Sequence, residues 1–158
     1  MGNAAEFLGP GGLSALITRG HGPQLTELLA EGVRLDFVFH DGWHVFDQTL
    51  CDFLFIDKML EVGGLLAFDD TTWPSMRKVL RYIVTNRAYS VVECLTSPHS
   101  RKDDVAQMLR PLTIPWTRLL KPELIKPDGL LQLRPGSRCV VLRKNAEDDR
   151  EITYHRDF

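Results

Sequence analysis

The chain is organised around one stretch, Leu35-Asp-Phe-Val-Phe-His-Asp-Gly-Trp-His44. Its apolar residues are strand formers and predict a strand over residues 35–39, which the Asp41-Gly42 pair then ends. A second short apolar run, over residues 65–68, also ends in two acids. Short runs that are apolar throughout are typical of strands buried on both faces of a parallel sheet. The sequence therefore predicts an α/β fold in which these two strands are neighbours.

Acids and an imidazole stand just beyond both predicted strands. Asp41 and His44 follow the first strand, and Asp69 and Asp70 follow the second. In open parallel sheets, ligands and chemistry collect beyond the carboxyl ends of the strands, so we expect these four side chains to share one crevice. The simpler alternatives are that Asp41 only forms a turn and that Asp70 only caps a helix beginning near Pro74.

Length and composition limit the classes of function that the chain can have. With 158 residues, 44% of them hydrophobic and 25% charged, the chain is expected to form a single globular domain. A net charge of -2 gives no electrostatic reason to expect nucleic acid. No apolar stretch approaches the roughly 18 residues that would indicate a membrane span, and no signal-peptide pattern is seen. Three scattered cysteines predict buried free thiols, as suits a cytoplasmic protein.

The periodicity of apolar residues predicts the remaining elements. Helical spacing indicates helices over residues 24–31, 45–61 and 74–88. Further strands are expected over residues 13–18, 89–95 and 138–142. A proline-rich, irregular insertion at about 96–137 separates the last two, and such a long excursion is usually a lid, a binding loop or an interface. The opening Gly9-Pro-Gly-Gly12 is either a phosphate-cradling loop or a flexible lead-in.

The second helix is the clearest in the sequence. Its acids Asp47, Asp52 and Asp57 are expected on the polar side, and Gly63-Gly64 is expected to stop it. Pro74 fits the first turn of the third helix. His40, at the end of the first strand, is assigned no role.

Taken in order, these features resemble one half of a class I S-adenosylmethionine-dependent methyltransferase. The resemblance is to the branch of small O-methyltransferases that includes macrocin and other sugar or natural-product enzymes. It is carried by the opening stretch, by Met59-Leu-Glu-Val-Gly-Gly-Leu-Leu-Ala-Phe-Asp-Asp70, and by the helix from Pro74. It implies a partial Rossmann-like sheet, mostly parallel with one antiparallel strand, and helices on both faces.

The family sheet has the strand order 3-2-1-4-5-7-6, and strands 1 and 2 have no counterpart here. Strands 3 to 7 map, in turn, onto residues 13–18, 35–39, 65–68, 89–95 and 138–142. The chain is therefore expected to be a single truncated domain, 1–158, without the family's Gly-rich cofactor loop. Strand 4 would then expose an apolar edge. Residues 13–18 could cover this edge, a second copy could pair there as a homodimer, or the chain could be a fragment, which we favour.

The resemblance also implies a metal site. In that branch, the aspartate after strand 4 and the paired acids after strand 5 bind the metal, and they map onto Asp41, Asp69 and Asp70. Three converging carboxylates would repel one another without a cation, and oxygen ligands suit Mg²⁺.

The catalytic and cofactor residues follow from the same mapping. His44 is the candidate base, because imidazole exchanges a proton near neutral pH, and Asp41 shares the catalytic role. Where many relatives carry an acid, this chain has Trp43, which would stack on substrate or cofactor instead. His21 maps near the adenine pocket, although a plain surface turn is the alternative. The residues assigned to S-adenosylmethionine are Gly20, His21, Asp41, Gly42 and Trp43.

The expected function is metal-assisted methyl transfer from S-adenosylmethionine to a hydroxyl of a small molecule, with no nucleic-acid or membrane partner. One alternative is a non-catalytic remnant of the methyltransferase fold that serves as an oligomeric or binding module. Another is a different nucleotide-using α/β protein, such as a relative of sugar-modifying hydroxylases.

Overall fold

The computed structural model describes residues 4–8, 14–18, 22–96, 131–134 and 136–158. Gly20, His21 and most of the predicted insertion lie outside these residues. The elements are β1 (Ala4–Leu8), β2 (Ser14–Thr18), α1 (Gly22–Ala30), β3 (Leu35–His40), α2 (Phe46–Met59), β4 (Leu60–Phe68), α3 (Pro74–Asn86), β5 (Tyr89–Thr96) and β6 (Ser137–Lys144). The predicted helices and strands are all present, and β1 is an additional strand.

The glycine pair after α2 does not stop that helix. α2 ends at Met59, and β4 begins at once with Leu60. Gly63 and Gly64 lie inside β4, near a register irregularity against β3. Gly63 has φ +91, and a Cβ on Gly64 would come within 2.8 Å of the Glu61 carbonyl oxygen. The pair is therefore required by an irregular strand rather than by a helix end.

The sheet has six strands in the order β1-β2-β3-β4-β6-β5. The α/β class is confirmed, but the expectation of a mostly parallel sheet is wrong. Only the β2–β3 and β3–β4 pairs are parallel, and the other three pairs are antiparallel. Antiparallel pairs outnumber parallel ones because residues 4–8, for which no strand was predicted, form β1 and run antiparallel to β2.

β2 covers the edge of β3 that the sequence leaves open. The two strands pair in parallel, from Ala15 opposite Phe37 to Thr18 opposite His40. The mapping of residues 13–18 onto the family's strand 3 is therefore wrong, because that strand does not adjoin strand 4. Backbone pairing within the chain satisfies the edge. A homodimer stays a prediction that would need a surface other than this edge.

The described helices lie on one face of the sheet, and not on both. The strands β2, β3, β4 and β5 advance across the sheet in one direction, so right-handed crossovers place α1, α2 and α3 on the same side. Buried residues from all three helices meet the strand face that carries Val38, Leu66 and Leu142. The helices contribute, among others, Leu25, Phe53 and Leu80.

Two of the three acids on α2 are buried, although all were expected on its polar side. Asp52 and Asp57 lie in the interior, whereas Asp47 is exposed. Their spacing of five residues rotates each acid by about 140° from the previous one, so one face cannot hold all three. The cysteine expectation is also wrong in part: all three are free thiols, but Cys51 is exposed.

Asp57 belongs to a buried polar cluster at the end of the sheet opposite the loops that follow β3 and β4. The wholly buried Lys144 donates from Nζ to the Asp57 carbonyl at 2.7 Å, the Leu60 carbonyl at 2.9 Å and Glu147 Oε2 at 2.6 Å. These contacts use all three ammonium hydrogens. Arg87 and Tyr89 donate to the Asp57 carboxylate. Every charge in the cluster is therefore paired.

The phenol of Tyr89 makes this cluster sensitive to alkaline pH. Burial, together with the Asp57 carboxylate, raises the pKa of Tyr89 above its usual 10.0. The folded state thus favours the protonated phenol, so its stabilisation is complete below pH 10.0 and is lost above it. We expect the stability advantage of the wild type over Tyr89→Phe, measured by urea unfolding, to shrink as the pH rises through that region. An advantage that stays constant would contradict this assignment.

Candidate functional site

β3 and β4 end side by side, and their loops leave the sheet at one edge. The last residues of the two strands, His40 and Phe68, are register partners. The amide of Asp69 donates to the His40 carbonyl at 3.1 Å. Because the strands are parallel, the loop that begins at Asp41 and the loop that begins at Asp69 start next to each other.

His44 and Asp70 are the two predicted site residues that the structure brings together. His44 Nε2 lies 3.7 Å from Asp70 Oδ2, and the two side chains are 25% and 33% exposed. Nε2 itself is buried and has no hydrogen-bond partner. A carboxylate beside Nε2 favours the proton on that nitrogen, which leaves the lone pair of a neutral ring on Nδ1. The structure thus places a carboxylate beside the Nε2 edge of the His44 ring.

Arg138 stands on the other side of Asp70. Its Nε lies 3.8 Å from Asp70 Oδ1, and its side chain is mostly exposed. The Asp70 carboxylate therefore faces an imidazole and a guanidinium at once.

Two hydroxyls from the helices hold the loop that carries His44. Thr49 Oγ1, on α2, donates to the Trp43 carbonyl at 2.7 Å, and Ser75 Oγ, on α3, donates to the His44 carbonyl at 2.5 Å. The His44 ring lies nearly parallel to Trp73, with 6.4 Å between the ring centroids. Trp43 and Trp73 are both more than half exposed. The loop is therefore anchored by its backbone, while the Trp73 ring borders His44.

Asp70 has a strained backbone. Its φ of 49° lies in the left-handed region, which non-glycine residues seldom adopt. The next residue, Thr71, is buried and fixes the turn by donating from its amide to the Arg138 carbonyl at 2.9 Å and from its hydroxyl to the Ser137 carbonyl at 2.6 Å. Such strain persists only where the surroundings enforce it, and it is common at functional sites.

The helix-cap alternative for Asp70 is not supported. The residue at the N-cap of α3 is Trp73, and it makes no side-chain capping bond. Pro74 opens the helix, as its fixed φ favours.

The predicted metal ligands do not form a metal site in the described arrangement. Among the residues that the structure describes, no group of three or more His, Cys, Asp or Glu side chains is placed to hold an ion. The carboxylate of Asp70 already faces His44 and Arg138. The described arrangement therefore gives no support for Mg²⁺ at Asp41, Asp69 and Asp70, and metal binding stays a prediction.

The described strands also lack the crevice in which such sheets hold a nucleotide cofactor. That crevice forms where the strand order reverses direction. The described parallel strands β2, β3 and β4 follow one another without a reversal. Of the residues assigned to S-adenosylmethionine, Asp41 and Gly42 are half-buried and Trp43 is exposed in the loop after β3. Their assignment to S-adenosylmethionine stays a prediction.

A second histidine, His40, lies beneath this loop. His40 and Asp52 are wholly buried, and His40 Nε2 lies 3.2 Å from Asp52 Oδ2. The period of two along β3 places His40 on the same face as Val38, which faces the helices. A buried imidazole requires a polar partner. The alternation along β3 is the sequence signal for this burial, because it places residues 38 and 40 on one face of the strand.

The described chain is thus an α/β domain with a mixed six-stranded sheet and a histidine–aspartate pair at the carboxyl ends of two parallel strands. Neither the protein-family models nor the curated proteins searched contain a match to it. None of the helices in the described residues has the length and apolar character needed to cross a membrane.

Proposed function

We propose that the chain is an S-adenosylmethionine-dependent O-methyltransferase that acts on a hydroxylated small molecule. The observation that carries the proposal is the 3.7 Å approach of His44 Nε2 to Asp70 Oδ2 where β3 and β4 end together. The sequence resemblance supplies the reaction, because these residues belong to the motifs that carry it.

Transfer to a hydroxyl requires an aligned donor and removal of the hydroxyl proton. Bound S-adenosylmethionine would supply the methyl group. His44 accepts the proton on Nδ1, and Asp70 stabilises the resulting imidazolium through Nε2. A separation of 3.7 Å is longer than a hydrogen bond, and such catalytic contacts often shorten only when substrate binds. The exposed faces of Trp43 and Trp73 offer stacking surfaces for the acceptor.

A second candidate function is a non-catalytic binding module. It is favoured by a specific feature of the sheet: β2 occupies the place beside β3, and the strand order does not reverse there. A sheet arranged in this way keeps the loops of a methyltransferase without the crevice for its cofactor.

Incubation with isotope-labelled S-adenosylmethionine tests the two candidates. The acceptors are a panel of phenols, catechols and sugars, each with Mg²⁺ and with a chelator, and donor binding is measured by calorimetry. We expect binding heat and labelled product, with more product in Mg²⁺. Absence of both heat and product would contradict the methyltransferase proposal and favour the binding module. Equal product with the chelator would reject the metal prediction alone.

A further inference from the structure

The buried pair of His40 and Asp52 joins the end of β3 to the middle of α2. Both side chains are wholly buried, and Gln48 Nε2 supplies the other Asp52 oxygen with a hydrogen bond at 3.3 Å. The His40 ring packs against Phe68, with 5.3 Å between the ring centroids. The ring therefore has a fixed position and orientation.

The His40 imidazole lies directly beneath the loop that carries His44. A Cβ placed on Gly42 would lie 3.0 Å from both Cε1 and Nε2 of His40, and 3.6 Å from Asp52 Oδ2. Such an approach is too close unless the ring moves. Gly42 has no left-handed φ, so glycine is needed there for space rather than for backbone conformation. The chain at Gly42 rests directly on the ring.

Stability alone does not explain a polar pair at this position. His40 Nδ1 is buried and has no hydrogen-bond partner, and leaving such an atom unpaired destabilises the fold. Apolar side chains of similar volume often stabilise a core as well as a buried ion pair does, or better. The contact with Asp52 is directional, so it holds the His40 ring at a fixed distance from the loop backbone at Gly42.

We propose that His40, held by Asp52, is a positioning residue for His44. The His40 ring fixes the position of the loop backbone at Gly42. The hydroxyls of Thr49 and Ser75, which bind the carbonyls of Trp43 and His44, then place the His44 ring beside Asp70. The catalytic meaning of this inference rests on the proposed function, but the positional claim can be tested without any activity.

The first test is Gly42→Ala, read by the proton NMR signals of His44. We expect the nearly parallel Trp73 ring to displace these signals from free-histidine positions, and their loss in His44→Gln assigns them. We expect Gly42→Ala to move the His44 signals towards free-histidine positions, because the new methyl group lifts the loop from His40. His44 signals that stay in place in the folded Gly42→Ala variant would overturn the proposal.

The second test is a double-mutant cycle. Combining His40→Ala with Asp52→Leu removes the imidazole beneath Gly42 and leaves no unpaired buried charge. Gly42→Ala is expected to lower the unfolding midpoint in the wild type but not in this background, where the methyl group has room. The conservative Asp52→Asn keeps a hydrogen-bonding partner for the ring, and we expect the His44 signals to stay in place.

An equal drop of the midpoint in both backgrounds would overturn the proposal, as would displaced His44 signals in folded Asp52→Asn. If the double variant does not fold, the His44 signals of Gly42→Ala decide alone. These measurements use no methyl donor, so a failure of methyl transfer and a failure of the positioning role are separate results.

Discussion

Replacing Asp57 by alanine is expected to lower the free energy of unfolding by about 3–5 kcal/mol. The loss follows from the partners that remain. The almost wholly buried Arg87 guanidinium loses Asp57 and keeps the partly exposed Asp148. The buried Lys144 ammonium keeps its three hydrogen bonds but loses a carboxylate that stood 4.0 Å away. The Tyr89 hydroxyl also loses its acceptor, which stood 2.7 Å away. The whole stability of a domain is only about 5–15 kcal/mol, so the variant is expected to be close to unfolding at physiological temperature.

Urea unfolding followed by circular dichroism measures this effect, with Asp149→Ala as the matched control. Asp149 is an exposed aspartate of the same chain, and exposed ion pairs contribute about 0–1 kcal/mol. A loss for Asp57→Ala no larger than the loss for Asp149→Ala would show that the buried cluster does not hold the fold together.

Replacing His44 by glutamine is expected to have the largest effect on activity, a loss of about 10²–10⁴ in the methyl-transfer rate. Glutamine keeps a polar side chain of similar reach but cannot accept a proton from a hydroxyl. The affinity for the methyl donor should change little, because the base acts on the acceptor. Steady-state rates with an acceptor that the wild type methylates measure the loss of activity. Calorimetric titration with S-adenosylmethionine measures the affinity for the donor.

His155→Gln is the control for that experiment. His155 also faces an aspartate, with Nε2 3.6 Å from Asp157 Oδ1, but it is 67% exposed and lies in the C-terminal segment, outside the loops that follow β3 and β4. We expect His155→Gln to transfer methyl groups at the wild-type rate. If both variants lose activity equally, or if His44→Gln loses none, His44 is not the base.

Charged and polar side chains cluster at both ends of the sheet, but their hydrogen bonding differs. The Lys144 cluster has a partner for every donor of the ammonium, which is typical of a structural network. At the other end, His44 Nε2 is buried beside Asp70 without a hydrogen bond, and Asp70 has a left-handed backbone. Incomplete pairing and backbone strain distinguish the candidate site from the structural cluster.

Local patterns were sufficient for most of the secondary structure. Apolar periodicity and the fixed φ of Pro74 identified three helices, and the short apolar runs identified β3 and β4. The same runs placed the loops at Asp41 and Asp69 at one edge, because neighbouring parallel strands end together. The irregular backbone inside β4 was not predictable, because Gly63-Gly64 is equally typical of a helix end.

The sequence by itself determined which segments are helices and strands and which side chains follow β3 and β4, since these depend on residues close together in the chain. Tertiary structure alone decided that β2 pairs with β3, that the helices share one face, and that Asp52 and Asp57 are buried. The physical reason is that pairing and burial depend on contacts between distant segments. A strand can satisfy its backbone against any free edge, and an acid on a helix can enter the core wherever an imidazole, a guanidinium or a phenol meets it.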